Sequence, residues 1–330
     1  MKTTIIAEIG INHNGSIDIA KRLIESAKIA GADACKFQTH LPEYQMLKTT
    51  KSANYVKEDI YTLLNTVKLS QDDHIALKRH CDEMEIDFLS TPFCKEAAQL
   101  LNDEVGVKIF KIGSGELTKY DLLDYVFQFG KPVILSSGMS SLEIVKNTIN
   151  YLSKYSNEVS LLHCTSLYPP EANQLNLKMI TKYKKLFPNL TIGYSDHTLN
   201  NYAAFAAVAI GAKIIEKHFT LDKNMEGPDH VISCDPEDLK ELVSGIRYLD
   251  QALEETEKKI YDQEKQVIDM ARHSLVSTKD IHPGEKLSLD NLGTKRPGTG
   301  IPAEKYYDFL NKQVIKLIKK DSLIQTDYLI

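Results

Sequence analysis

The sequence predicts a (β/α)8 TIM barrel, an α/β fold, followed by a small second domain. Eight β-rich segments alternate with amphipathic helical segments from residue 3 to about residue 255, a pattern typical of parallel strands joined by right-handed crossovers. An open doubly wound sheet is disfavoured, because the first strand is not followed by G-x-G-x-x-G and the chain has no P-loop motif. The 330 residues exceed one barrel, so we expect a second core.

The predicted strands are short apolar segments, each followed by a helical pattern. They span residues 4–9, 34–39, 87–90, 107–112, 132–136, 160–164, 191–194 and 213–217. Asp235 followed by Pro236 predicts a capped helix start, and Gly31 and Gly130 suit helix ends. Two further pairs with capping-box spacing are Ser140 with Glu143 and Thr118 with Asp121.

A charged connector precedes the second domain. Residues 249–270 are dominated by Glu, Lys, Gln and Asp, which favours a solvated helix over a ninth barrel unit. Two β-like segments follow, at 274–277 and 314–318, together with turns that contain Pro and Gly. We therefore predict a barrel over residues 1–255, a linker over 256–271 and a small domain over 272–330.

Composition and charge disfavour several classes of protein. Forty basic and 45 acidic residues give a net charge of -5, and without a basic face nucleic acid is not an expected partner. Glu8 precedes any signal-peptide core and no apolar run reaches membrane-spanning length, so we expect a cytoplasmic protein with no membrane partner. Five scattered cysteines without a C-x-x-C pair indicate reduced, mostly buried thiols.

Histidines at the ends of two neighbouring predicted strands indicate a metal site. The functional residues of a barrel lie at the C-terminal ends of its strands. His197 follows strand seven and His218 follows strand eight, and the alternation of side chains places them on the same faces as Ser195 and Glu216. A lone histidine there is more often a hydrogen-bonded structural residue. The pair favours a divalent ion, with Mn, Fe or Zn suited better than Ca.

Two lysines predict an anion pocket. Lys36 and Lys111 lie on strands expected to be buried on both faces, where an unpaired ammonium group is costly. A structural salt bridge is the alternative. Hydroxyl groups at strand ends favour a phosphate or carboxylate site instead; they belong to Thr91, Ser114, Ser136 and Ser195. Glu8 and Glu116 are candidate acid–base groups or structural acceptors. Asp229 is a candidate metal-site or sugar-binding residue, or a turn residue.

Ten motifs, taken together, resemble those of the sialic acid synthase family, the phosphoenolpyruvate-dependent enzymes that make nine-carbon ulosonic acids. They cover nearly the whole chain, and only their combination is specific. The motifs are AEIGINHNG (7–15), KFQTH (36–40), STPF (90–93), FKIGSGE (110–116), ILSSGM (134–139), HCTSLYP (163–169), GYSDHT (193–198), EKHFT (216–220), GPDH (227–230) and KRPGTGI (295–301).

The resemblance implies an antifreeze-like (SAF) domain from about Arg272 and a homodimer, domain-swapped so that each SAF domain closes the partner's barrel. It implies that His197 and His218 hold a divalent metal, commonly Mn²⁺, with Mg²⁺ or Co²⁺ as alternatives. The positions that match phosphoenolpyruvate-binding residues are Lys36, Thr91, Lys111, Ser114, Ser136 and Ser195. The positions that match residues facing the sugar, the metal or its water are Glu8, Gln38, Glu116, Tyr168 and Asp229. Arg296 matches an arginine that reaches the N-acyl group. Ser166 departs from the Asn of the best-known sialic acid synthases, which weakens the choice of substrate.

The resemblance also implies a C–C bond-forming transferase that condenses phosphoenolpyruvate with an N-acylated hexose and releases phosphate. N-acetylmannosamine, giving N-acetylneuraminate, is the first expected acceptor. A 2,4-diacetamido-trideoxy-mannose, giving N,N'-diacetyllegionaminate, is the alternative, and a pseudaminate synthase ranks third. A metal-dependent aldolase, epimerase or hydrolase would leave the lysine pocket unexplained. A non-catalytic carbohydrate-binding protein would not need polar residues at all eight strand ends.

Overall fold

The computed structural model describes residues 2–53, 56–254 and 257–330. The chain divides into two units, Met1–Glu255 and Thr256–Ile330. The predicted boundary between barrel and linker, at residues 255 and 256, lies outside the described residues. Within the described ranges, no helix has both the length and the apolar character needed to cross a membrane.

The first unit is the predicted barrel. Its strands are β1 Thr4–Gly10, β2 Ala34–Thr39, β3 Asp87–Pro92, β4 Phe110–Ile112, β5 Val133–Ser136, β6 Val159–Cys164, β7 Thr191–Asp196 and β8 Ile214–His218. They pair in parallel in the order β3-β2-β1-β8-β7-β6-β5-β4. Because β3 and β4 also lie side by side, the sheet is nearly closed. All eight predicted strands are confirmed, and β3 and β7 extend two residues further than predicted.

Helices cover the outside of the barrel. They are α1 Ile17–Ala30, α2 Pro42–Gln45, α3 Ile60–Val67, α4 Gln71–Glu83, α5 Lys95–Leu100, α6 Tyr120–Phe127, α7 Leu142–Leu152, α8 Lys178–Leu186, α9 Tyr202–Ala209 and α10 Pro236–Ala252, with a π-helical turn at Leu101–Val105 and 3-10 turns at Ser114–Glu116, Ala172–Gln174 and His230–Ile232. Asp235 caps α10 in a complete capping box, and Gly31 ends α1 at a φ of 91°. Two predicted caps are wrong. The hydroxyl that caps α7 belongs to Ser141, one residue after Ser140, and α6 begins without a side-chain cap from Thr118.

The barrel has two apolar layers. The larger one fills the space between the strands and the surrounding helices. The smaller one plugs the barrel interior and consists of Ile6, Ala34, Leu89, Ile134, Leu162 and Ile214. Side chains alternate along a strand, so the next inward position lies two residues further on. Those positions, towards the C-terminal ends of the strands, carry the polar residues of the site.

The second unit has an antiparallel strand pair, β9 Ser274–Ser277 with β10 Leu292–Lys295, and the helices α11 Lys265–Ala271 and α12 Tyr306–Phe309. Its 3-10 turns are Asp262–Glu264, Ala303–Lys305 and Thr326–Tyr328. Its core consists of Leu275, Ile281, Leu287, Leu292, Val314, Ile318 and Ile324. The strand predicted at 274–277 is confirmed, and the one predicted at 314–318 is wrong. Val314 bridges to Leu329 whereas Ile318 bridges to Ile281, so no single neighbour supports a ladder.

Candidate active site

The polar layer of the barrel interior lies directly above the apolar plug. Ile6 is followed two residues later by Glu8, Ala34 by Lys36, and Ile214 by Glu216. The complete layer comprises Glu8, Lys36, Thr91, Lys111, Ser136, Cys164, Ser195 and Glu216, all of which are buried. The period of the strands therefore brings two lysines and two glutamates, from four different strands, into one layer.

Glu216 lies between the two lysines. Its Oε2 atom is 3.6 Å from Lys111 Nζ and 3.7 Å from Lys36 Nζ. Its Oε1 atom accepts a hydrogen bond of 2.9 Å from Ser195 Oγ. Glu8 contacts Lys36 on the other side, with Oε2 at 2.8 Å from Nζ. Buried charges of this kind are stable only when they are paired, so the two glutamates make it possible for both lysines to lie inside the barrel.

The four charged groups shift one another's pKa values. Burial acts to raise the pKa of Glu216, but the two ammonium groups, Lys111 first, lower it to about 2. Burial raises the pKa of Glu8 despite the charge of Lys36. Burial lowers the pKa of Lys111, whereas the carboxylates beside Lys36 outweigh burial and raise its pKa. Glu216 and Lys36 are thus stabilised as ions, and Lys111 is the cation with the weaker support.

Hydroxyl groups accept hydrogen bonds from both lysines. Lys111 Nζ donates to Ser136 Oγ at 2.8 Å. Lys36 Nζ donates to Thr91 Oγ1 at 3.4 Å. Hydroxyl groups can also donate to a bound anion, so this set of cations and hydroxyls is suited to a phosphate or carboxylate group.

Gly138 lies beside two hydroxyl groups of the same cavity, those of Ser114 and Ser166. Its amide donates to Ser114 Oγ at 3.0 Å. A Cβ atom at this position would lie 2.2 Å from Ser166 Oγ and 2.7 Å from Ser114 Oγ. Because real Cβ atoms do not approach other heavy atoms so closely, a side chain at this position would have to displace the hydroxyl groups of Ser166 and Ser114.

Two histidine rings face each other at the ends of β7 and β8. The ring centroids of His197 and His218 are 5.4 Å apart, and the ring of Tyr168 lies 4.3 Å from that of His197. His197 Nδ1 donates to the Thr165 carbonyl oxygen at 2.9 Å, which leaves its Nε2 lone pair available to a ligand. His218 Nδ1 is 3.8 Å from Asp229 Oδ2, and burial holds the pKa of His218 well below its usual range.

Two adjoining cavities open from these residues. The inner cavity, of about 280 Å³, surrounds the lysines. The outer cavity, of about 530 Å³, extends from the histidines towards α3. The residues that line both are Gln38, Phe93, Glu116, Tyr168 and His218. A ligand that reaches from the lysine layer towards the mouth of the barrel would therefore occupy both volumes.

Comparison with known proteins identifies the family. A model of the NeuB family matches residues 23–258, and a model of the SAF domain matches residues 272–330. This chain belongs to the NeuB family. The resemblance seen in the sequence motifs is thereby confirmed, as is the combination of a barrel with a SAF domain.

Named relatives of this NeuB chain are synthases. An N,N'-diacetyllegionaminic acid synthase from Campylobacter jejuni is 44% identical over 98% of this chain and 99% of its own length. A human N-acetylneuraminate-9-phosphate synthase is 33% identical over 98% of this chain and 91% of its own length. The crystal structure of an N-acetylneuraminic acid synthetase from Leptospira borgpetersenii has a TM-score of 0.74 and 32% identity, and the match covers 81% of this chain and 90% of that one. The NeuB chain is thus an enzyme of this synthase group.

The barrel gathers most of the site residues predicted from the sequence. The predicted residues that line the inner cavity are Glu8, Lys36, Gln38, Thr91, Lys111, Ser114, Glu116, Ser136, Ser166, Tyr168, Ser195, His197 and His218. Asp229 lines the outer cavity, and burial raises its pKa to about 6. Arg296 belongs to the second unit, where it is exposed and its Nε donates to the Ala271 carbonyl oxygen at 3.1 Å.

Several residues of the inner cavity were not among the predicted site residues: Phe93, Gly113, Gly115, Met139, Cys164 and Glu216. Most of the outer cavity's lining was not predicted either. Glu216 is the most important of these residues, because it contacts both lysines and Ser195. Its position two residues before His218 already indicated an inward side chain. Cys164 and Phe93 also line the inner cavity. Nothing in their local sequence distinguishes them from ordinary buried residues, and burial of cysteines was the general expectation.

The histidine pair fits a divalent metal as two of its ligands. His218 Nδ1 is buried and makes no hydrogen bond to any described residue, and His197 Nε2 is left available by its tautomer. Imidazole nitrogens suit Fe and Zn, and carboxylate or water oxygens beside them suit Mn. Among the described residues, no three His, Cys, Asp or Glu side chains come together as a complete ligand cluster, so the protein supplies two imidazoles and not a closed site.

Proposed function

We propose that this enzyme condenses phosphoenolpyruvate with an open-chain N-acylated hexosamine and water, and releases phosphate, to form a nine-carbon ulosonic acid. The observation that carries the proposal is the buried layer of Lys36 and Lys111 with its hydroxyl groups, which opens directly onto the larger outer cavity. Membership of this chain in a family whose relatives include synthases supports the same reaction class.

Phosphoenolpyruvate is the ligand proposed for the inner cavity. Lys111, Ser136 and Thr91 offer donors at its floor, and the glycines that line it are Gly113 and Gly115. An anion that receives these donors exchanges its hydration shell for fixed dipoles and charges. The lysines act by position and charge, since the reaction needs no Schiff base.

The acceptor aldehyde is proposed to lie between the two cavities, above the enol carbon. Carbon 3 of phosphoenolpyruvate forms a bond to the aldehyde carbon, and the aldehyde oxygen becomes a hydroxyl group. The cation left at carbon 2 is captured by water, and phosphate departs by cleavage of the C–O bond. Glu116 lines both cavities, and burial raises the pKa of Glu116, which suits it to align this water and accept its proton.

We propose that His197 and His218 hold a divalent ion, Mn²⁺ in the first instance. When bound, such an ion acts as a Lewis acid on the aldehyde oxygen. Asp229 supports a cation there, because its Oδ2 atom lies 3.8 Å from His218 Nδ1 and brings a carboxylate to the same place. Tyr168 packs against both imidazoles and keeps their rings in place.

The acceptor we propose is 2,4-diacetamido-2,4,6-trideoxymannose, the alternative in the sequence-based expectation. Similarity supports this choice over N-acetylmannosamine, since identity to the legionaminic acid synthase is 44% and to the N-acetylneuraminic acid synthetase from Leptospira borgpetersenii 32%. Ser166, which lines the inner cavity, is the residue that differs from the Asn of the best-known sialic acid synthases.

Release of inorganic phosphate from phosphoenolpyruvate tests the proposal. The purified full-length chain would be assayed with Mn²⁺ and each of the two sugars, without sugar, and after treatment with a chelator, and the product would be identified by mass spectrometry. We expect phosphate release that requires both sugar and metal, fastest with the diacetamido sugar. A metal-dependent aldolase or epimerase would release no phosphate. Absence of sugar-dependent release with either acceptor would refute the condensation.

A further inference from the structure

One wall of the outer cavity is apolar. It is formed by Ile11, Met46, Val56, Ile60, Leu63 and Leu64. These side chains belong to a small hydrophobic cluster of their own, separate from the main core. Leu63 and Leu64 are buried, whereas Met46 and Ile60 are half-buried. A closed structural core would bury all of them, so this cluster leaves part of its apolar surface facing the cavity.

The segment between β2 and α4 builds this wall. Asp59 caps α3, accepting a hydrogen bond of 2.9 Å from the Thr62 amide. Ile60, Leu63, Leu64 and Val67 then follow at the spacing of a single helix face. In most barrel helices such a face packs on the sheet, but here it packs on Ile11 of the loop after β1 and on Met46 after α2. The helix is thereby placed at the mouth of the barrel.

Another wall of the same cavity is polar and held in place by contacts among its own side chains. His40 stacks on Phe93 with ring centroids 4.4 Å apart. His40 Nε2 bonds Gln38 Oε1 at 2.9 Å, and Gln38 Nε2 donates to Glu8 Oε1 at 2.9 Å. Burial lowers the pKa of His40 to about 4. The cavity therefore offers a polar wall, which leads to the lysine layer and also includes Glu116, Lys119 and Asp229, and a separate wall that cannot hydrogen-bond.

We propose that the apolar wall receives the methyl end of a 6-deoxy acceptor sugar, so that Met46 and Ile60 determine specificity at carbon 6. This inference rests on the proposed condensation, since it places the acceptor in the outer cavity. A methyl group gains by burial against these side chains. A hydroxyl group at the same place would lose its hydration without gaining a partner. The acylamino groups and remaining hydroxyls would face the polar wall.

Two sugars that differ in one atom test the proposal. 2-Acetamido-2,6-dideoxymannose and N-acetylmannosamine differ only in the oxygen on carbon 6, and kcat/KM would be measured for each with saturating phosphoenolpyruvate. We expect the wild-type enzyme to prefer the 6-deoxy sugar by about tenfold or more, the discrimination that a single group in an apolar pocket typically gives. Met46→Gln and Ile60→Thr should each narrow that preference to about threefold or less, with an unchanged KM for phosphoenolpyruvate.

Val67→Thr is the matched control. Val67 is buried in the same cluster but does not line the cavity, so this variant perturbs packing without touching the proposed ligand. It should retain the wild-type preference. If it narrows the preference as much as Ile60→Thr, or if neither cavity variant changes it, the specificity role is wrong although condensation still occurs. If no sugar supports phosphate release, the proposed function itself fails, and the two failures are thereby distinguished.

Discussion

Replacement of Lys111 by Met is the sharpest test of the anion pocket. The variant keeps the length and apolar stem of the side chain but removes an ammonium group that donates to Ser136 at 2.8 Å and lies 3.6 Å from Glu216. A hydrogen bond to a charged group contributes about 1.5–3 kcal/mol. At about 1.4 kcal/mol per factor of ten, the KM for phosphoenolpyruvate should rise roughly 10- to 150-fold. The Coulomb energy of two charges at about 4 Å, about 4 kcal/mol at an effective dielectric constant near 20, sets an upper limit of roughly 1000-fold.

The measurement is the initial rate of phosphate release as a function of phosphoenolpyruvate concentration at saturating sugar and metal. Thermal unfolding separates loss of binding from loss of fold, because Glu216 keeps Lys36 and Ser195 as partners in the variant. Lys119→Met serves as a comparison, since Lys119 lies in the outer cavity and donates to the Phe93 carbonyl oxygen. Its KM for phosphoenolpyruvate should stay within about threefold of wild type. A folded Lys111→Met enzyme with an unaltered KM would refute the reasoning.

Three further predictions concern other parts of the chain. Gly138→Ala places a methyl group 2.2 Å from Ser166 Oγ, so kcat/KM for phosphoenolpyruvate should fall by about tenfold or more with a melting temperature near that of wild type; full activity would mean that the turn shifts freely. The motif resemblance implies that Arg296 reaches the N-acyl group, so Arg296→Ala should raise the KM for the sugar by about tenfold and leave the KM for phosphoenolpyruvate unchanged; equal effects on both would contradict that role. Asp33→Asn should lower the free energy of unfolding at pH 7 by about 1–2 kcal/mol. Burial acts to raise the pKa of Asp33, but hydrogen bonds to its carboxylate, including one of 2.6 Å from Arg247, outweigh burial and lower that pKa. A lowered folded-state pKa stabilises the fold at pH values above the unfolded-state pKa of about 4, and this stabilisation is lost below the folded-state pKa. In urea unfolding, the difference in free energy of unfolding between wild type and variant should therefore shrink in acid. A difference that stays constant with pH would rule out this source of stability.

Strand positions were predictable because each barrel strand is a short apolar segment between polar boundaries. The C-terminal end of each strand was harder to predict. The last residues of β3 and β7, at Thr91–Pro92 and Ser195–Asp196, still pair with the neighbouring strands, although their polarity indicates a loop. In the second unit, the apolar segment at 314–318 resembled a strand, but its bridges go to different parts of the chain. Strand formation there depends on a partner, which the local sequence does not reveal.

The candidate site was predictable in its members but not in its contacts. The position of strand ends in a barrel, with the alternation of side chains, located both lysines and both histidines. Glu216 was on the same predicted face, yet its importance arises from Lys36 and Lys111, which come from β2 and β4 and lie 3.7 and 3.6 Å away. These distances follow from the closure of the sheet. The residue pattern along a single strand does not predict distances between side chains of different strands.

The two lysines differ in how strongly the protein already engages them. Lys36 has Glu8 at 2.8 Å and Glu216 at 3.7 Å, and these carboxylates raise its pKa. Among the described residues, Glu216 is the one carboxylate within ion-pair distance of Lys111, at 3.6 Å, and burial lowers the pKa of Lys111. An incoming anion therefore gains more binding free energy at Lys111, whose buried ammonium group has little carboxylate near it, than at Lys36, where it competes with a carboxylate. Lys36 is instead linked through Glu8 to Gln38 and the outer cavity. Lys111 is accordingly the main anchor expected for phosphoenolpyruvate, and Lys36 connects that anchor to the groups that face the sugar.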